Sequence, residues 1–293
     1  AQSAPPPPVP HALDYPALIS GKASNAAMLA ITKAGERLIA VGERGIILYS
    51  DDHGKRWTQA ATPTSVTLTA LRFVDATRGW AVGHMGIVLH TEDGGSTWRK
   101  QLDGIQAAKL AYESAEASGN EKNLRQATYL ITDGPDKPFF DISIDKSGNG
   151  FIVGAYNLVF RTTDGGKHWQ DWSDHLENPK NFHLYGITHT PNGIYVVGEQ
   201  GLILRSTDGG QHFSVQTSPY QGTWFGALNT AKGLALFGLR GNVFLLPSGG
   251  DGWLAMQTNT TEAISGAAEL SDGRLLLAGQ SGQLFIEQEA RKF

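Results

Sequence analysis

The strongest constraint on this chain is a repeated interval. Six apolar runs each turn on a glycine: LIAVGERGIIL (38–48), GWAVGHMGIVL (79–89), GFIVGAYNLVF (150–160), IYVVGEQGLIL (194–204), LALFGLRGNVF (234–244) and LLLAGQSGQLF (275–285). The aligned glycines, Gly42, Gly83, Gly154, Gly198, Gly238 and Gly279, stand 41, 71, 44, 40 and 41 residues apart. A period near forty belongs to architectures in which each unit buries a face on its neighbours. The one long interval holds roughly thirty additional residues.

Each unit spells four strands. In the second they are TALRFVD, GWAVG, GIVLHT and TWRKQL. The middle pair is joined by a two-residue turn between glycines, which is a hairpin signal. Those middle strands read as continuous apolar runs, as strands do when both faces are covered. Thirty-six glycines in 293 residues, about 12% against a usual ~7%, agree with many tight turns. The expected fold is an all-β propeller of six four-stranded blades; a seventh would have to come from the first 25 residues, which are too few. The sixth unit ends without its fourth strand, so the segment ALDYPALISGK (12–22) is expected to supply it and close the ring. Residues 1–11 read as a disordered proline-rich tail, and 12–293 as one propeller domain. The long interval, 104–138, is rich in helix formers and broken at Ser118-Gly119-Asn120, which predicts two helices inserted between blades two and three.

Between the third and fourth strands lies a recurring phrase: SDDHGKRW (50–57), TEDGGSTW (91–98), TTDGGKHW (162–169) and STDGGQHF (206–213). Its aspartates, Asp52, Asp93, Asp164 and Asp208, suit acceptance of backbone N–H groups from the turn each begins. Trp57, Trp98, Trp169 and Phe213 suit apolar plugs. One copy per blade keeps the carboxylates apart, whereas paired-carboxylate catalysis needs them within about 5–10 Å. One or two carboxylates per loop also fall short of a calcium shell. The phrase reads as scaffold.

This phrase is the Asp-box, or bacterial neuraminidase repeat. The stretch GWAVGHMGIVLHTEDGGSTW (79–98) resembles the unit of the photosystem II stability/assembly factor-like family of Asp-box propellers. The resemblance covers roughly residues 26–287 without the insertion. It implies a non-enzymatic, exported protein that holds intermediates of a membrane complex, and relatives with seven blades are common. Sialidases share the box, but no Arg-Ile-Pro phrase announces their first arginine here. Asp141 is the one carboxylate placed for a glycosidase channel, and it has no evident partner.

Composition removes other classes. A formal net charge of −4 gives no basic field for nucleic acid. With no cysteine, zinc-finger, thiol and disulfide readings fail. No run reaches the ~18 apolar residues that span a bilayer. No histidine pair has metal-ligand spacing, so neither metal nor cofactor is expected; His168 and His212 fall in boxes, and His183 with Tyr185 begins an inner strand. The start AQSAPPPPVP resembles a mature exported protein, which predicts a periplasmic or other exported location. The loops best placed for partner recognition are the hairpin turns, with Arg44, His84, Met85, Tyr156, Glu199, Gln200, Arg240 and Gln280. The expected partner is a membrane-associated protein bound by a monomer. The alternative is a small-molecule or lipid-like ligand among Phe139, Phe140, Tyr185, Trp224 and Phe225.

Overall fold

The structure, a computed structural model, describes residues 12–288 and 291–293. Its strands form six antiparallel sheets, each a meander in chain order. The first contains β1 to β4 (Met28–Ala34, Arg37–Gly42, Ile47–Ser50, Thr58–Gln59) and the second β5 to β8 (Leu68–Phe73, Gly79–Gly83, Val88–Thr91, Arg99–Leu102). Helices α1 (Gly104–Ser118) and α2 (Glu121–Asp133) follow. The third sheet contains β9 to β12 (Phe139–Ile144, Gly150–Gly154, Val159–Thr162, Gln170–Asp171), and the fourth β13 to β16 (Leu184–Thr190, Gly193–Gly198, Ile203–Ser206, Ser214–Val215). The fifth has β17 to β20 (Trp224–Thr230, Gly233–Gly238, Val243–Pro247, Leu254–Met256), and the sixth β21 to β23 (Ile264–Glu269, Leu275–Gly279, Leu284–Ile286).

The chain packs as two compact units, one running to Phe139 with 144–148 and 166–169, the other holding 140–143, 149–165 and 170–293. The first has a core around Leu13, Ile39, Val41, Leu68 and Leu89. The second has cores around Phe151, Val196 and Phe213, and around Val243, Ile264 and Leu277. The second strands β6, β10 and β18 are buried along their whole length, which explains their unbroken apolar sequence.

Two expectations fail at the ends. The sixth sheet has three strands, and residues 12–22 contribute none to it. Those residues hold a 3-10 turn at Ala12–Asp14 and strap the first unit instead. Leu13 is buried in its core, Ala12 O accepts from Ser65 N–H, and Ala17 N–H donates to Thr62 O. Their hydrogen bonds are thus committed to the loop after β4. At the other end, Gln257 N–H donates to Arg291 O, and Phe293 N–H to Gln257 O. Phe293 packs on the core of Val243 and Ile264. The Gln257–Lys292 bridge matches the Ala61–Thr97 bridge that precedes the Trp98 plug of the second repeat, so Phe293 serves as the sixth repeat's aromatic plug without a box. The predicted disordered tail, 1–11, lies outside the described residues.

Candidate binding surface at the hairpin turns

The Asp-boxes consume their own polar groups. Asp52 Oδ1 accepts from Arg56 N–H at 2.8 Å, Asp93 Oδ1 from Thr97 N–H at 2.9 Å, and Asp208 Oδ1 from His212 N–H at 3.1 Å. The hydroxyls of Ser50, Thr91, Thr162 and Ser206 donate to the carboxylate two residues on. The Arg56 backbone N–H, helped by its guanidinium, holds the Asp52 carboxyl down at about 2. The Ser206 hydroxyl and the His212 N–H hold Asp208 well below the usual carboxylate range. Such carboxylates stay ionised and have no proton to give near neutrality. Trp98, Trp169 and Phe213 are buried plugs. Trp57, whose box joins β3 to β4 of the first sheet, is only half-buried.

The hairpin turns are a different matter. Five share one geometry, with two consecutive left-handed residues: Arg44-Gly45, Met85-Gly86, Tyr156-Asn157, Gln200-Gly201 and Arg240-Gly241. The two turn residues therefore start one position later than the sequence suggested, and Glu43, His84, Glu199 and Leu239 are the preceding corner. Where glycine holds the second position, as it does in four of the five, that position is sterically closed. A Cβ on Gly45 would lie 2.1 Å from Thr64 O, and one on Gly241 2.1 Å from Thr260 O. The first position holds Arg, Met, Tyr, Gln and Arg at φ of 52–58°, where a side chain costs about 1–2 kcal/mol. Backbone strain kept at repeated surface positions marks candidate functional residues.

Not every tip is free. Arg44, His84, Gln200, Arg240 and Gln280 are exposed, but Met85 is half-buried against the first unit's core, so it is a packing residue. Helix α1 begins beside it: a Cβ on Gly104 would stand 2.8 Å from Met85 O. Asp103 caps α1 by accepting from Ile105 and Gln106 N–H groups. The insertion buries an alanine stripe, Ala107, Ala108, Ala111, Ala115 and Ala127, and exposes Ile105, Tyr129 and Ile131.

In the second unit one tip joins a larger group. The Tyr156 ring, 57% exposed, lies 4.4 Å from the His183 ring between centroids. Phe140 and Tyr185 are 4.8 Å apart, His183 and Tyr185 6.2 Å, and Tyr185 and Phe225 5.6 Å. Phe140, His183, Tyr185 and Phe225 are each partly exposed. Glu199, from the next turn, accepts from His183 N–H at 2.8 Å, while Glu199 N–H donates back to His183 O. Burial, and then the nearby Glu199 carboxylate, push the Tyr185 hydroxyl above its ordinary range. His183 Nδ1 is buried with no hydrogen-bond partner among the described residues. Phe139 and Trp224 are fully buried and belong to the packing, not to a pocket.

Bulges create this group. The ladder shifts register between Leu184 and Gly186 and between Trp224 and Gly226, leaving Tyr185 and Phe225 as the additional residues. A bulge re-aims its side chain. The signal was present in the alignment: Phe140, Tyr185 and Phe225 precede the repeat glycine by 13 or 14 residues.

The enzyme candidates do not assemble. Asp141 accepts from Ile142 N–H with one oxygen and Ile187 N–H with the other, which makes it a backbone clamp. Ser143 Oγ and His189 Nδ1 are 2.6 Å apart, but Ser143 is buried beyond substrate. A cavity of about 260 Å³ near His175 and His212 is walled by Asp208, already tied into its box.

The family described as photosynthesis system II assembly factor YCF48 matches residues 55–132 and 130–292. A photosystem II assembly lipoprotein Ycf48 of Synechococcus sp. (strain CC9902) is 40% identical over 47 residues, which span 16% of this chain and 14% of that protein. The solved structure of YCF48 bound to D1 peptide superposes with a TM-score of 0.62 at 17% identity, covering 90% of this chain and 78% of that one. YCF48 from Cyanidioschyzon merolae gives 0.60 at 12%, covering 90% and 85%. At these identities the superpositions show a shared propeller fold.

Proposed function

Since the chain belongs to the photosystem II assembly factor YCF48 family, we propose that it is a non-enzymatic, exported propeller that binds a polypeptide segment of a membrane complex or transporter during assembly. The observation that carries this reading is the strained, exposed Tyr156 set against His183, Tyr185, Phe140 and Phe225. Aromatic anchors on a rigid support are typical centres of protein recognition. The Asp-boxes brace the sheets and leave the hairpin turns for the partner: in the second unit Glu199, Gln200, Arg240 and Gln280 beside the Tyr156 group, and in the first unit Arg44 and His84 on turns of their own. That one relative was solved with a D1 peptide supports a protein partner here, and relatives named as lipoproteins support export; the compartment we propose is the periplasm. The described part would act as one propeller domain and as a monomer.

The test is capture from detergent-solubilised membranes of the native host. Tyr156→Ala and Gln200→Ala are expected to lose the species that wild type retains, and Asp208→Asn to keep it. Equal recovery by wild type and both turn variants would refute the reading.

A further inference from the structure

The chain caps aromatic rings with its own arginines on the other strands. Arg37 lies 4.4 Å over Tyr49, Arg161 4.6 Å over Trp172, and Arg205 5.6 Å over Tyr195. The rings of Phe140, Tyr185 and Phe225 have no such cover: among the described residues no lysine or arginine stands over them. They are partly exposed and contiguous, and the Glu199 carboxylate is fixed beside them by accepting from the N–H of His183, whose ring lies 6.2 Å from that of Tyr185.

Ring faces carry negative quadrupole charge, so they attract cations, and a carboxylate beside them adds to the attraction. A lysine or arginine side chain supplies that cation and has donors only, which suits the Glu199 carboxylate. An acidic or purely aliphatic group would meet either repulsion from Glu199 or no use for it.

Building on the proposed protein-binding role, we infer that Phe140, Tyr185, Phe225 and Glu199 form a receptor for a lysine or arginine side chain of the partner polypeptide. Tyr156, exposed and rigidly placed on its turn, flanks the group through His183. Specificity comes from the cation, and the neighbouring turns supply the remaining contact area.

The test uses four synthetic peptides, acetyl-Gly-Ser-Xaa-Ser-Gly-amide, with Xaa as lysine, arginine, norleucine or glutamate, titrated into the whole protein and followed by NMR. Norleucine keeps the aliphatic stem and removes the charge. The lysine and arginine peptides are expected to bind about tenfold more tightly than the norleucine peptide, and glutamate more weakly still. Glu199→Gln and Tyr185→Leu are each expected to cut that preference to about twofold, with circular dichroism showing that the fold is kept. Glu199→Gln, at a half-buried hairpin corner, remains informative if Tyr185→Leu misfolds. Equal binding of lysine and norleucine peptides, no binding of any peptide, or a preference unchanged by Glu199→Gln would overturn the inference. Membrane capture that still depends on Tyr156 in that event would leave the protein-binding reading standing. Loss of that dependence alone would remove the partner role but not a measured cation preference.

Discussion

His90, on β7, gives the sharpest quantitative prediction. It is buried, its ring lies 4.7 Å from that of Trp80, and Arg99 Nη2 approaches its Nδ1 at 3.2 Å. Arginine can only donate, so Nδ1 is the acceptor and the imidazole is neutral. Burial first, and then the Arg99 charge, hold its pKa down at about 4, against 6.5 for an ordinary histidine. A folded pKa below the unfolded one means that stability is complete above pH 6.5 and is lost as pH falls toward 4. At 1.36 kcal/mol per unit the whole loss is roughly 3 kcal/mol, of which about 2 kcal/mol is gone by pH 5. Urea unfolding at pH 7.5, 6 and 5 measures it. Replacing His90 with Gln removes the titration, and whatever packing it costs is the same at each pH. Wild type should therefore lose about 2 kcal/mol more than H90Q between pH 7.5 and 5. Parallel pH profiles for the two proteins would refute the burial argument.

Below that window the boxes take over: Asp52 and Asp208 are held below the ordinary carboxylate range, so their contribution is present above about pH 4 and fades as pH falls toward 2. Circular dichroism along an acid titration should show D52N-D208N losing its native signal less steeply there than wild type. Trp98→Ala should cost about 3–5 kcal/mol in urea unfolding and Trp57→Ala clearly less, because only Trp98 is deeply buried. Gly45→Ala should destabilise the first unit by several kcal/mol, since the new Cβ meets Thr64 O at 2.1 Å. Arg44→Gly, one residue earlier, should be neutral or stabilise by up to about 1 kcal/mol in the same assay, relieving strain against a higher unfolded-state entropy.

Much of the architecture was legible because it rests on local rules repeated along the chain. A glycine at a position that tolerates no Cβ, such as Gly45 or Gly241, repeats with the hairpin it permits. An aspartate that must gather the N–H groups of its own turn repeats with its box. Less of the binding surface was legible. Met85 and Tyr156 occupy the same place in their turns, yet one packs into a core and the other is exposed. Nothing in the turn sequence separates them, because the difference lies in what packs beside each.

What the sequence determined by itself was the repeating sheet, its turns and its braces, since these bonds close within a few residues or between adjacent strands. Only the tertiary structure decided that residues 12–22 strap the first unit, that Phe293 fills a plug position, and that Phe140, Tyr185 and Phe225 gather beside Glu199. Those outcomes depend on contacts between residues distant in the chain. They are set by competition for hydrogen bonds and apolar cover, which no periodicity encodes.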